Sequence, residues 1–345
     1  MSFFLFFFFF IVIKCQVKKE SLMNNNNNRN LQSGEFTNIK LVINENCYQR
    51  SVPNNIDSNK LSILSQGIKK AQNAIEKLVK IKRTSEKISI NYNDNYIPSA
   101  FNCYLDGDSA LLNTEITADL YIIIKLEASS IKRFAKPSII KCENNDNGRP
   151  IIGTILYNTD YLQNMEEDDL LEAISVIFLH EFTHILGFTK EILQKKFLIL
   201  TRKDVKNRMN DINQNKSYVN GTTVIKRAKA YFNYPELDGV ELEDANEDNE
   251  NMTHWSQRIL LGDYMISEIY YSEQAISEIT LALLEDLKWY TVNYYTGGLM
   301  KFGKHKGSDF FKKDCIEEKI NDAFINYRSL FKSTFPNEFC SNYYT

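Results

Sequence analysis

The sequence contains only four histidines in 345 residues, and it has no strongly basic stretch. Lysine and arginine total 41, against 44 aspartate and glutamate residues, which gives a formal net charge of −3. Because nucleic acids and anionic membranes bind mainly to clustered positive charge, the sequence gives no reason to expect either as a partner. No internal repeat is present, and the length suits one large domain or two modest ones.

Long hydrophobic runs are also lacking, apart from one at the N-terminus. Residues 3–13, FFLFFFFFIVI, form an apolar run that is shorter than the ~20 residues needed to span a bilayer. Its length is typical of the core of a secretory signal peptide, although no lysine or arginine precedes it. We therefore predict a signal peptide at residues 1–15, no further membrane-spanning helix, and a secreted or cell-surface protein. An uncleaved anchor is the alternative.

Cysteine is infrequent as well, with six in the chain. Secretion would make disulfides the expected state of most of them. If Cys15 leaves with the signal peptide, five remain, so two disulfides and one free thiol is the simplest arrangement. The five are Cys47, Cys103, Cys142, Cys315 and Cys340. In a secreted chain the motif N-x-S/T would also mark glycan acceptors, and it occurs at Asn215, Asn220 and Asn251.

The order of predicted elements indicates a mixed α+β domain. Residues 16–36 are polar and of low complexity, and we predict a disordered leader there. A long amphipathic helix is predicted over residues 60–83, because apolar residues recur every three or four positions up to Ile81. Segments rich in β-branched residues predict strands. These strands are 38–44, 87–92, 119–127 and 150–158.

The segment ISVIFLHEFTHILGFTK, residues 174–190, carries two of the four histidines. We predict a helix that begins near Met165, with carboxylates in its first turn, where they favour the helix dipole. Residues 170–186 are apolar nearly all round, so this helix should be buried. Gly187 then permits the sharp turn that ends it.

Two histidines four residues apart can bind one metal ion. His180 and His184 lie on the same helix face, roughly 6 Å apart. Glu181 follows the first of them, close enough to act as general base toward a metal-activated water. The alternative is a pair of core histidines with an incidental glutamate. That alternative is disfavoured, because an unpaired buried carboxylate costs several kcal/mol.

A catalytic zinc takes three protein ligands and leaves one position for water. The remaining histidines are His254 and His305, and the latter lies in the lysine-rich FGKHKGSD, which is typical of an exposed surface loop. In the compact HExxHxxGxxH pattern the third histidine would fall at position 190, where this chain has lysine. A downstream carboxylate is the other source of a third ligand, and Glu278 and Glu285 are the candidates.

The chain resembles the leishmanolysin family of metzincin zinc metallopeptidases, also called major surface proteases. The resemblance rests on HEFTHILGF and on NMTHWSQRILLGDYMIS, residues 251–267, where Met265 follows His254 by eleven residues. Residues 270–294 and the segment GGLMKFGKHKGSDFFKKDC are similar to the parts of the family that follow. RFAKPSIIKCENNDNGRPIIGTILYN resembles the strand region ahead of the zinc helix. In total the resemblance covers roughly residues 36–340.

The resemblance implies a metzincin-type α+β catalytic domain with an inserted subdomain. It divides the chain into an N-terminal catalytic part at 37–187, the insertion at 188–253 and a C-terminal part at 254–345. It assigns His254 as third ligand of one Zn²⁺ per chain and Met265 as the apolar floor beneath it. It also pairs Cys103 with Cys142 and, with less support, Cys315 with Cys340. Asn251 lies so close to the third ligand that we expect it to carry no glycan.

These observations predict a secreted or surface zinc metalloendopeptidase that acts on proteins or peptides, with Glu181 as general base. Residues 150–158 are either an edge strand that pairs with an extended substrate or a plain buried strand. A catalytically inert adhesion or surface protein with the same fold is the alternative function. The sequence makes no prediction about the oligomeric state or the cleavage preference.

Overall fold

The computed structural model describes eleven segments of the chain, and the elements below are numbered within them. These segments are residues 35–44, 56–83, 87–90, 114–127, 134–143, 148–164, 167–206, 213–243, 254–267, 274–296 and 300–312. The predicted signal peptide, nearly all of the predicted leader, Asn251 and every cysteine except Cys142 lie outside them. Cys142 is disulfide-bonded, and its pairing with Cys103 stays a prediction.

The described chain contains both helices and strands, in groups of each, which confirms the mixed α+β prediction. The helices are α1 (Ser58–Leu78), α2 (Thr159–Asn164), α3 (Glu167–Leu186), α4 (Lys190–Lys195), α5 (Thr222–Phe232), α6 (Gln257–Leu260), α7 (Glu278–Asp286) and α8 (Gly307–Lys312). The strands are β1 (Thr37–Asn38), β2 (Leu41–Asn44), β3 (Val79–Ile81), β4 (Ile88–Ile90), β5 (Thr114–Ile116), β6 (Leu120–Glu127), β7 (Ala135–Cys142), β8 (Pro150–Asn158), β9 (Ile199–Lys206), β10 (Asn213–Val219), β11 (Val240–Glu241) and β12 (Tyr290–Val292).

The largest sheet has the order β2-β6-β8-β7. β2, β6 and β8 run parallel, and β7 is antiparallel to β8. Both faces are covered, because the apolar side chains of β6 divide between two hydrophobic clusters. β8 has a neighbour on each side, so the interpretation of residues 150–158 as an edge strand is wrong and the buried strand is confirmed.

Helix α1 confirms most of the long helix predicted over residues 60–83. It begins after Asp57, whose side chain accepts a hydrogen bond from the backbone of Asn59 and so caps the helix. Its buried face packs along α3. The prediction fails in the last turn, because Val79 and Ile81 are buried in β3, which pairs with β1 and β12.

Helix α3 carries the HEFTH motif through the main hydrophobic cluster, as its apolar sequence predicts. By length and composition, Asp169–Lys195 could also cross a membrane, whereas the sequence predicts no membrane-spanning helix after residue 13. Within the fold, 83% of its most apolar window is buried. A core helix meets the same criterion, because burial in protein and burial in lipid favour the same side chains.

The region predicted as an insertion, residues 188–253, contains α4, the antiparallel sheet β11-β10-β9 and α5. Apolar residues from it, among them Val219, Phe232 and Leu242, belong to the same hydrophobic cluster as α3. This part of the chain therefore shares the core of the helix that bears the motif. The division into subdomains stays a prediction.

Candidate metal centre

Three histidine side chains converge at one point of the fold. The Nε2 atoms of His180 and His184 are 2.9 Å apart, and each lies 3.2 Å from Nε2 of His254. All three rings are largely buried, with side-chain exposure of 12% at His254 and residue exposure of 4–5% at the other two. Within the described residues they form a group whose ligand atoms could share one metal ion.

The spacing of these nitrogen atoms fits a metal ion bound in tetrahedral geometry. Two nitrogens bound to zinc at about 2.1 Å lie about 3.4 Å apart, and the observed separations are 2.9–3.2 Å. Three imidazoles brought together with their acceptor nitrogens facing inward would repel one another unless a cation lay between them. The donor set therefore fits a divalent metal ion.

Backbone carbonyls fix the rings of the two helix histidines. His180 Nδ1 lies 2.7 Å from the carbonyl oxygen of Tyr264, and His184 Nδ1 lies 2.8 Å from that of Phe188. A carbonyl oxygen only accepts, so each Nδ1 carries the proton and each Nε2 presents its lone pair. Burial, together with the nearby His254 ring, lowers the pKa of His180 to about 3. The ring is therefore neutral at pH 7, as metal binding requires.

Gly187 produces the turn that orients His184. Its φ is +130°, and the backbone N–H groups of Gly187 and Phe188 donate to the carbonyls of His184 and Thr183. The chain thus folds back over the end of α3, which brings the Phe188 carbonyl to His184. The sequence prediction of a sharp turn at Gly187 is confirmed.

Replacing Gly187 by alanine is expected to destabilise the fold by about 2–4 kcal/mol. A Cβ there would lie 2.8 Å from Leu287 Cδ1, and the positive φ adds backbone strain. Gly148→Ala is the control, because its φ is also positive (+60°) but a Cβ added there would have no heavy atom within 4 Å. Urea denaturation measures both. Equal losses would show that neither the crowding beside Leu287 nor the greater backbone strain at φ +130° contributes.

His254 lies in a short extended segment that is hydrogen-bonded to a neighbouring segment of the chain on each side. Glu243 N donates to the His254 carbonyl, and Ser256 N donates to the Glu241 carbonyl. On the other side, Trp255 N donates to the carbonyl of Met265, which is fully buried. The residue after His254 is therefore hydrogen-bonded to the turn that contains Met265.

A buried polar network fixes that turn. Asp263 accepts hydrogen bonds from the backbone of Met265 at 2.7 Å and from the hydroxyl of Thr280 at 2.8 Å. Thr280 in turn accepts from the indole N–H of Trp255 at 2.7 Å. Burial raises the pKa of Asp263 to about 6, although these hydrogen bonds and those from Ser277 act to lower it. The network connects Trp255, which follows His254, with the turn that contains Met265 and with the first part of α7.

The other residues considered from the sequence lie elsewhere. Glu278 is paired with Arg227, and Glu285 accepts from the hydroxyl of Tyr294 at 2.7 Å. Neither belongs to the group of metal-ligand atoms found among the described residues, so the carboxylate alternative for the third ligand is not supported. His305 is exposed, as predicted. Glu181 is buried, with 4% of its surface exposed, next to His180 on α3.

Sequence reasoning missed two residues that contact the converging histidines. One is Tyr264, in the turn directly before Met265, and the other is Glu243, in the segment that pairs with His254. Tyr264 binds α3 twice, through its carbonyl to His180 and through its hydroxyl to Thr183 at 2.9 Å. Glu243 places a carboxylate oxygen 3.5 Å from His254 Nδ1. The position of Tyr264 directly before Met265 is the signal that could have identified it.

The sequence matches the family model described as Leishmanolysin over residues 12–342. This chain belongs to the leishmanolysin family. The match includes all three converging histidines and both flanking regions. Membership of this family implies a metal cofactor, and the three-histidine group could bind one. The resemblance seen in the sequence is confirmed.

Curated relatives in the leishmanolysin family share modest identity with this chain. A leishmanolysin-like peptidase of Drosophila pseudoobscura pseudoobscura is 31% identical over 138 residues, which are 40% of this chain and 19% of the relative. A ciliated left-right organizer metallopeptidase of Danio rerio is 30% identical over 183 residues, 49% of this chain and 28% of the relative. A leishmanolysin homolog of Crithidia fasciculata is 25% identical over 181 residues, 52% of this chain and 26% of the relative.

These matches cover between 19% and 28% of the relatives' own length. The first two are named as a peptidase and a metallopeptidase, which supports a metalloprotease for this leishmanolysin-family chain.

Proposed function

We propose that this protein is a zinc-dependent metalloendopeptidase. The observation that carries the proposal is the convergence of His180, His184 and His254 through their Nε2 atoms, with Glu181 next to the first ligand on the same helix. Three neutral nitrogen ligands leave a fourth position for water, which distinguishes a catalytic zinc site from a closed structural one. Protein or peptide substrates follow from the protease family.

Each residue of the site has a separate role in this proposal. Zinc, when bound, supplies a Lewis acid that acidifies a water and polarises the scissile carbonyl. Glu181 takes the proton from the attacking water and afterwards delivers it to the leaving amine. Its burial limits access of competing solvent to the carboxylate. Met265 provides the apolar floor beneath the ligands, and Gly187 turns the chain behind His184.

Metal removal tests the proposal directly. Dialysis of the purified mature chain against a chelator is expected to abolish hydrolysis of a denatured protein such as casein, and stoichiometric zinc is expected to restore it. Metal analysis should give one zinc per chain before dialysis. Full activity after chelation, with no metal detected, would contradict the proposal. Zinc binding without any hydrolysis would instead favour the inert adhesion or surface protein.

We also propose that the chain enters the secretory pathway. The support is the apolar run at residues 3–13, whose length suits a signal peptide. Expression in a secreting host is expected to release a protein that begins near Gln16. A protein that stays in the cell with its N-terminus intact would argue against cleavage.

A further inference from the structure

The third histidine differs from the other two in what faces its second ring nitrogen. His180 and His184 each meet a backbone carbonyl within 2.8 Å. His254 Nδ1 is buried and makes no hydrogen bond with any described residue. A carboxylate oxygen of Glu243 lies 3.5 Å from it, at ion-pair distance.

Two further contacts hold the Glu243 carboxylate in this place. The hydroxyl of Ser267 donates to its other oxygen at 2.6 Å. The backbone N–H of the same glutamate donates to the His254 carbonyl at 3.0 Å. The side chain is 22% exposed, so the carboxylate is partly screened from water without being desolvated.

The segment that carries Glu243 is itself anchored by a buried ion-pair cluster. Glu241, two residues earlier, is paired with Lys216 at 3.1 Å and with Arg258 at 2.5 Å. These two cations hold the pKa of the Glu241 carboxyl below its usual range, although burial alone would raise it. The backbone N–H of Ser256 also donates to the Glu241 carbonyl. The segment that bears Glu243 is therefore held in a fixed position relative to the segment that bears His254.

We propose that Glu243 is a positioning residue that accepts the Nδ1–H of His254 and so directs its Nε2 toward the metal. The proposal rests on the proposed zinc site. Ligating histidines commonly donate their second N–H to a carbonyl or carboxylate, which fixes the tautomer and strengthens the ligand. A shift of about 0.7 Å would bring the pair to the ~2.8 Å of a charge-assisted hydrogen bond. Catalytic hydrogen bonds are often long in unliganded sites and tighten on binding.

Glu243→Ala is expected to weaken zinc binding by ~10–100-fold, the usual loss when an outer carboxylate partner of a ligating histidine is removed. Glu243→Gln, which keeps an acceptor oxygen but lacks the charge, should fall between alanine and wild type. Glu236→Gln is the control: Glu236 is exposed and lies seven residues earlier in the same segment. It should match wild type. Competition against a chromophoric zinc chelator measures all four affinities without requiring activity.

A second comparison separates positioning from general damage to the fold. If Glu243 acts through His254, then adding Glu243→Ala to His254→Ala should change zinc affinity by less than about twofold, because sites that act through one another are not additive. The thermal midpoint of metal-free Glu243→Ala should stay within a few degrees of the Glu236→Gln control.

Three outcomes would overturn the inference while leaving the proposed function intact. These are zinc affinity of Glu243→Ala within twofold of wild type, an equal loss in the two backgrounds, and a loss of affinity accompanied by a large drop in the metal-free thermal midpoint. Failure of the wild-type chain itself to bind zinc would be a failure of the proposed function instead.

Discussion

Replacing Glu181 by glutamine is expected to reduce peptide hydrolysis by at least ~100-fold, the lower end of what a general base contributes. Glutamine has nearly the same shape but cannot take a proton from water. The carboxylate is not one of the three converging ligands, so zinc content should be unchanged. Initial rates on a quenched fluorescent peptide, together with metal analysis of the same sample, measure both effects.

The matched control for this substitution is Glu172→Gln on the same helix. Glu172 lies at the surface, where it pairs with Lys70 and its side chain is 55% exposed. An exposed pair of this kind contributes about 0–1 kcal/mol, so activity should stay within twofold of wild type. If Glu181→Gln kept more than a tenth of wild-type activity, Glu181 would not be the base. Loss of zinc from that variant would instead make it a structural residue.

Replacing His254 by alanine is expected to have the largest effect on metal binding. Removing a direct ligand should weaken zinc binding by more than the ~10–100-fold that follows from losing an outer partner. Activity should disappear with it, because two ligands on one helix cannot hold the geometry of a catalytic site. Isothermal titration of the metal-free protein with zinc measures the change.

His305→Ala is the control, since His305 is the one described histidine outside the converging group and is exposed. It should bind zinc as the wild type does. If His254→Ala still held one zinc per chain with unchanged affinity, the third ligand would have to come from another residue. Glu278 and Glu285 would then be tested in turn.

Local sequence pattern predicts the elements whose side chains are apolar and regular. Residues 150–158 match β8 at both ends, and α3 begins two residues from the predicted position. The pattern misplaces the end of α1, because Val79 and Ile81 suit either a helix face or a strand. Pairing with β1 and β12, which are distant in the chain, decides in favour of the strand.

Local sequence pattern does not predict strands with polar or interrupted sequences, and the family resemblance alone assigns the region of β7 to a strand. β7 contains Pro137 and lies at one end of the sheet order, a place where proline is tolerated. β9 and β10 consist largely of lysine, asparagine and other polar residues. Neither sequence shows the alternation that marks a half-buried strand, so tertiary pairing decides their structure.

His180 and His184 are predictable as candidate ligands because they are side chains of a rare type at a fixed spacing, and His254 is assigned through the family resemblance. The groups that orient them are not predictable. The carbonyls of Phe188 and Tyr264 leave no residue signature, since any amino acid supplies a carbonyl. Glu243 lies in ELEDANEDNE, residues 241–250, where acidic residues are so frequent that none stands out.

His254, the proposed third ligand, lies 70 residues after His184. A newly made chain that has completed α3 but not the later segments presents only two imidazoles, on one exposed helix. Such a chain should capture metal poorly, because the complete binding geometry does not exist before folding. Peptide-cleaving capacity would then switch on late in biogenesis, and zinc uptake during refolding would report when the last part of the polypeptide docks.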